Sequence, residues 1–306
     1  VVNIMTKCKG CGIRLQNLDP EKVGYTPKLE NDLCMRCFKL KNYNVLTNEG
    51  VVIDNKEILS KINKKKSYVL FIVDFLNLDK EVIDTYKSIT NYKTLVLTKC
   101  DIIPKNIKIN TLVENIKDIY DIKENILICS KNRVNLNEIR NICLEEKNVL
   151  FAGFTNAGKS SLINSLVGSN ITVSHKSNTT QDFIRLNVDG VTIYDAPGFM
   201  SHFKRENVPK NLIKPIVYQL ENKYYLKINN LKLNIQSNSN LTIYMSNTIS
   251  IDKRREKENV LCDVAVPSNS DLIIKGYGFI KFSKATFIKI NTLDYEIRPS
   301  IIGGVK

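Results

Sequence analysis

The sequence predicts an α/β domain on a mainly parallel sheet, preceded by a small cysteine-paired module and followed by a mainly β domain. Three observations carry that prediction. Short apolar runs alternate with amphipathic stretches between residues 67 and 199, four of the eight cysteines fall within the first 37 residues, and short β-rich runs broken by Asn, Ser and Gly follow Gly198. The boundaries they suggest are 1–48, 49–200 and 201–306. A chain of 306 residues has room for two or three domains. At 43% hydrophobic and 25% charged it can bury a sizeable core. No stretch approaches the ~18 consecutive apolar residues of a membrane span, and the N-terminus lacks the apolar core of a secretory signal, so an interior, non-membrane protein is expected.

Taken in order, the apolar runs Tyr68–Val73, Thr94–Leu97, Asn125–Cys129, Val149–Ala152 and Val191–Tyr194 read as strands. The amphipathic stretches Lys80–Ile89, Thr111–Tyr120, Asn135–Cys143 and Lys159–Val167 read as the helices that connect them. Beyond Gly198, Ile216–Leu220, Lys223–Ile228, Leu241–Ser246, Gly278–Phe282 and Thr286–Ile290 read as strands of the third domain. The runs Lys64-Lys65-Lys66 and Gln236–Asn240 read as solvated loop.

The formal charge is +14, and it is uneven: residues 200–306 carry 17 basic against 9 acidic side chains. Such an excess favours polyanionic partners, nucleic acid first. Lysines outnumber arginines 36 to 9, so part of the basicity is also what an AT-rich genome would produce.

Cys8-Lys9-Gly10-Cys11 and Cys34-Met35-Arg36-Cys37 are two C-x-x-C pairs 22 residues apart, slightly beyond the usual spacing of a zinc ribbon. Four thiolates close a tetrahedral zinc and leave no open position, which predicts a structural metal on Cys8, Cys11, Cys34 and Cys37. A disulfide pair or a redox C-x-x-C are the competing readings; neither needs two such pairs in a reducing compartment.

Gly153-Phe154-Thr155-Asn156-Ala157-Gly158-Lys159-Ser160 is a full G-x-x-x-x-G-K-S between a predicted strand and a predicted helix. In that setting backbone amides from Asn156 to Ser161 cradle phosphates, Lys159 bridges them and Ser160 ligates magnesium. Asp195-Ala196-Pro197-Gly198 supplies the D-x-x-G downstream, with Asp195 holding magnesium through water and the Gly198 amide meeting the γ-phosphate. Between them Asn178-Thr179-Thr180 offers Thr180 as second magnesium ligand. Thr98-Lys99-Cys100-Asp101 matches the guanine-reading N/T-K-x-D pattern, and Cys129-Ser130-Lys131 matches the loop that supports the same base. Both lie upstream of the phosphate loop, so the order of a GTP-binding domain is cyclically shifted. Only two histidines, His175 and His202, are present, and no Ser-His-Asp or Cys-His arrangement is legible, which disfavours any small-molecule substrate other than GTP.

The zinc pairs, the five nucleotide motifs in this order, and the segments Val217-Tyr218-Gln219-Leu220 and Gly276-Tyr277-Gly278-Phe279-Ile280 resemble the circularly permuted ribosome-assembly GTPases of the YqeH type. The resemblance implies a cytoplasmic, bacterial GTPase acting in small (30S) subunit assembly, with a C-terminal domain that binds rRNA or ribosomal protein. It also implies GTP/GDP, magnesium and zinc as ligands, and no membrane. Two alternatives are a nucleotide-gated RNA-binding module with negligible turnover and a permuted GTPase of the large subunit. Departures are Thr98 for the usual asparagine, Cys129 where serine is common, and Asn178 for glycine. Phe199 occupies the place of the glutamine that orients water in Ras-like enzymes, and Asn156 resembles the asparagine that helps hold potassium in GTPases lacking that glutamine. Slow, potassium-stimulated hydrolysis is therefore expected. Lys204, Arg205, Lys253, Arg254, Arg255, Lys281 and Lys284 are candidate phosphate contacts, with Tyr277 and Phe279 as candidate base-stacking rings, although both rings also fit a core.

Overall fold

The structure is a computed structural model, and it describes residues 6–9, 13–20, 24–35, 37–38, 54–129, 135–167, 183–203, 214–222, 224–255 and 262–303. Five helices, α1 (Asn55–Lys64), α2 (Lys80–Lys87), α3 (Ile109–Tyr120), α4 (Leu136–Glu146) and α5 (Lys159–Val167), alternate with the strands of a six-stranded sheet. Those strands are β1 (Tyr68–Asp74), β2 (Lys93–Thr98), β3 (Ile126–Ile128), β4 (Asn148–Gly153), β5 (Ile184–Val188) and β6 (Val191–Asp195), in the order β3-β2-β1-β4-β6-β5. β4 sits centrally and runs parallel to β1 on one side and to β6 on the other, with Phe151 in register with both Leu70 and Asp195. Strands covered on two faces need continuous apolar sequence, and β1, β2 and β4 have it: Val69–Val73, Thr94–Leu97 and Val149–Ala152 are all buried.

All five strands expected between residues 67 and 199 are present, each within a few residues of its predicted ends. β5 was not predicted, yet its cue is in the sequence. Ile184, Leu186 and Val188 alternate with polar residues, and the Asp189-Gly190 turn that joins β5 to β6 has φ of 47° and 80°, the left-handed pair that a two-residue hairpin requires. Helix α1 was also unpredicted. Its cap is Asp54, whose side chain accepts from the Lys56 amide, and it buries Ile58 and Ile62.

Residues 216–299 form two five-stranded antiparallel sheets. One has the order β16 (Tyr295–Pro299), β13 (Ser270–Ile274), β14 (Gly278–Phe282), β10 (Ser239–Met245), β7 (Ile216–Leu220). The other has the order β11 (Ile251–Arg254), β8 (Tyr225–Ile228), β9 (Leu231–Ile235), β15 (Thr286–Ile290), β12 (Cys262–Val266). Both contribute to one core: Leu241, Ile243 and Ile280 from the first pack with Leu226, Leu233 and Ile288 from the second, as in a β-sandwich.

The chain divides into two compact units, one of residues 1–73, 84–98 and 134–200, the other of residues 74–83, 99–133 and 201–306. No helix among the described residues is long and apolar enough to cross a membrane.

Candidate functional site

In the first unit, β4 ends at Gly153, whose φ of +151° and lack of a side chain are both used. A Cβ there would lie 2.3 Å from the Ile72 carbonyl oxygen. The loop continues through exposed Asn156, at φ 60°, and Gly158, at φ 92°, then enters α5 at Lys159. Ser160 and Ser161 therefore stand in the first turn of a helix whose amides point out of its N-terminus. That terminus carries the partial positive charge which favours a phosphate.

The D-x-x-G segment is laid along this loop. The Ala196 amide donates to Phe151 O at 3.0 Å, the Phe199 amide to Gly153 O at 3.0 Å, and the Thr155 amide to Phe199 O at 2.9 Å. Gly198 passes so close that a Cβ would meet Thr155 Cγ2 at 2.9 Å and its amide nitrogen at 3.1 Å. The Phe199 ring is wholly buried against Phe154 and Phe71, with centroids 5.7 and 6.0 Å away. A residue so placed is a clamp, and it leaves no side chain there to orient water. Lys159 is also buried, and its ammonium donates to Asp195 Oδ1 and to the Ala196 carbonyl. Thr98, at the end of β2, has Oγ1 3.1 Å from Val73 O and 2.5 Å from Ala157 O. One hydroxyl proton serves one carbonyl at a time.

In the second unit, Lys99 takes a left-handed conformation at φ 57° and pairs with Asp74 at the end of β1. Asp101 follows in the 3-10 turn Cys100–Ile102. The Cys100 amide donates to Cys129 O at 3.2 Å, which joins the two predicted base loops through the backbone. Burial, helped by the nearby Cys129, Asp74 and Asp101, pushes the Cys100 thiol well above the ordinary range, so it is no nucleophile at neutral pH.

Near the N-terminus, Cys8, Cys34 and Cys37 are buried and bring their sulfurs within 4.8 Å of one another. A tetrahedral zinc with bonds of about 2.3 Å sets its sulfurs ~3.8 Å apart, so the three thiols fit such an ion. The Cys34 amide donates to Cys8 Sγ at 3.2 Å, a bond that favours a thiolate. Leu15, with Ile13 and Leu33 packed on it, completes a very small apolar core.

Of the candidate RNA contacts, Lys253, Arg254, Arg255 and Lys284 are exposed, with Lys253 Nζ 4.1 Å over the Tyr224 ring and 3.2 Å from Gln219 O. Lys281 is turned onto Ile302 O at 2.9 Å. Of the two rings expected to stack bases, Phe279 does not present itself, and Tyr277 is half-buried. Phe279 is buried, stacked on Tyr244 with centroids 4.7 Å apart, and Tyr277 packs on the sandwich core. Their aromatic character serves packing, which a glycine-flanked Y-x-F sequence leaves undecided. Cys11, Ser130, Lys131, Thr180, Lys204 and Arg205 lie outside the described residues. Among the described residues, Asp74 pairs with the motif residue Lys99 without belonging to any motif; its cue in the sequence is a carboxylate closing an otherwise apolar strand.

The family model described as RsgA GTPase matches residues 72–203, and one described as 50S ribosome-binding GTPase matches residues 148–268. The uncharacterized protein YqeH of Bacillus subtilis (strain 168) is 30% identical over 253 residues, covering 72% of this chain and 69% of that protein. The crystal structure of YjeQ from Thermotoga maritima is 22% identical with a TM-score of 0.33, over 48% of this chain; the match spans 53% of that chain. With that identity to YqeH over more than two thirds of both sequences, the chain belongs to the YqeH family of circularly permuted GTPases.

Proposed function

We propose that this protein binds and hydrolyses GTP and acts in assembly of the small ribosomal subunit, its nucleotide state governing its hold on rRNA or ribosomal protein. The observation that supports nucleotide hydrolysis best is the backbone pairing of Phe199 with Gly153 and Thr155, because it seats Gly198 and Asp195 directly against the phosphate loop. In this reading Asn156 to Ser161 bind the phosphates, and Lys159 supplies positive charge. Thr98, Lys99, Asp101, Cys129, Ser130 and Lys131 form the base side, with Asp101 accepting both N–H groups of the guanine edge. Ser160, Thr180 and, through water, Asp195 hold magnesium, which neutralises charge on the phosphates. Asn156, exposed and left-handed at the loop's apex, is suited to hold potassium where Phe199 cannot orient water. Cys11 completes the zinc site with Cys8, Cys34 and Cys37, and the metal is structural. Residues 1–48, 49–200 and 201–306 would then serve as zinc module, GTPase domain and basic docking domain, in the cytoplasm.

Two measurements test this. Hydrolysis in potassium should exceed that in sodium, and Asn156→Ala should abolish the difference; equal rates in both salts would remove the potassium assignment. Co-sedimentation with separated subunits, at fixed salt, should show binding to small subunits that depends on a non-hydrolysable GTP analogue against GDP. Pelleting only with large subunits would instead favour the reading suggested by the family model whose name refers to 50S binding. Equal binding in both nucleotide states would overturn the gating.

A further inference from the structure

Lys99 is a long, flexible side chain, and a lysine that is to lie along a nucleobase has to be stopped from sampling its other rotamers. The chain provides the stop in Asp74. This carboxylate is 1% exposed. Its Oδ1 accepts from the Leu76 amide at 3.0 Å, and its Oδ2 accepts from Asn77 Nδ2 at 3.0 Å and from the Lys99 ammonium. Lys99 is fixed at its other end by its left-handed backbone, so both the root and the tip of the side chain are held.

Four of the residues after Asp74, namely Phe75, Leu78, Asp79 and Lys80, are themselves tied to the β-sandwich within the same unit. Phe75 packs edge-on against Phe279 with centroids 5.8 Å apart, and Leu78 O accepts from Arg298 Nη1 at 2.5 Å. Asp79 lies 3.5 Å from Lys275 Nζ, and the Lys80 amide donates to Glu296 Oε1 at 3.1 Å. Arg298 is buried and paired with Asp271 at 3.1 Å. The strap 74–80 thus has little freedom to shift the carboxylate away from Lys99.

We propose that Asp74 is the positioning residue for the base-reading lysine: it sets guanine-nucleotide affinity through the Lys99 ammonium without touching the nucleotide. This rests on the assignment of Lys99 and Asp101 to the base loop. The test is a double-mutant cycle on the full chain, titrated with fluorescent GDP. Asp74→Asn keeps an oxygen acceptor for the Leu76 amide and removes the charge; Lys99→Met keeps the apolar stem and removes the ammonium. Each single change should weaken GDP by ~10-fold, the scale of one charged hydrogen bond, and the double variant should bind no more weakly than the weaker single one. Lys99→Arg, which can still pair with Asp74, should stay within ~3-fold of the parent. A purely structural Asp74 would instead give losses that multiply in the double variant, and that result would overturn the proposal. Should Asp74→Asn fail to fold, Lys99→Met alone decides, since parental affinity there would leave the pair nothing to position. Asp101→Ala separates the two failures. If it leaves GDP affinity intact, the base-loop assignment falls and the proposal with it; if it abolishes binding while Asp74→Asn keeps parental affinity, only the role of Asp74 is lost.

Discussion

Lys159 and Asp195 are both almost fully buried, at 1% and 0% exposure. Removing one member of such a pair strands the other charge away from water, a cost of roughly 3–5 kcal/mol. Lys159→Ala is therefore expected to lower the melting temperature sharply as well as to abolish nucleotide binding, and thermal denaturation without added nucleotide will read the first effect alone. An unchanged melting temperature would show that the ammonium does not hold Asp195. Sequence reasoning identified Lys159 and Asp195 by motif but gave no hint that they meet. Nor could it show that Thr98 keeps a tie to the phosphate loop through Ala157 O, since which carbonyl a hydroxyl reaches depends on tertiary register.

Among the elements, the N-terminal module depends most on something other than its own packing. Among the described residues its apolar core amounts to Leu15, Ile13 and Leu33 around three cysteines, far too little to offset chain entropy. A structural zinc contributes on the order of 10 kcal/mol or more to such a unit. Chelation should thus release one zinc per chain and unfold residues 6–38 while the six-stranded sheet persists, as read by metal release together with amide exchange; protection of the Cys8 and Met35 amides after chelation would contradict this. The thiol pattern made the module legible. So did the continuous apolar runs of β1, β2 and β4, which a strand covered on both faces requires. The two β sheets were only half legible: β9, β11 and β16 show no two-residue alternation of burial, β12 alternates over only five residues, and β13 begins on polar Ser270 and Asp271 that are buried. Asp271 is buried because Arg298, 27 residues away, pairs with it, and no local pattern encodes that.

At the scale of the whole molecule, charge and topology make separate demands. Lys275 is drawn down by burial, but Asp79 and Glu296 outweigh that and hold its pKa above the ordinary lysine value. A raised folded-state pKa means that its stabilising contribution is complete below the unfolded value and is lost as pH rises through the folded one. The stability difference between parent and Lys275→Met should hold constant from pH 7 to about 10 and shrink only above it, as followed by urea denaturation; a difference that vanished by pH 8 would exclude the ion pair as its source. The cyclic order of the sheet has a consequence for the nascent chain. β1 can be flanked by β2 soon after it is made, but its other neighbour, β4, begins only at Asn148. Throughout that stretch of translation an apolar strand, Tyr68–Asp74, presents an open edge to whatever lies at the exit of the synthesising ribosome, and such edges are templates for mispairing. The order in which these strands are written thus leaves β1 paired on one side at most until β4 is made.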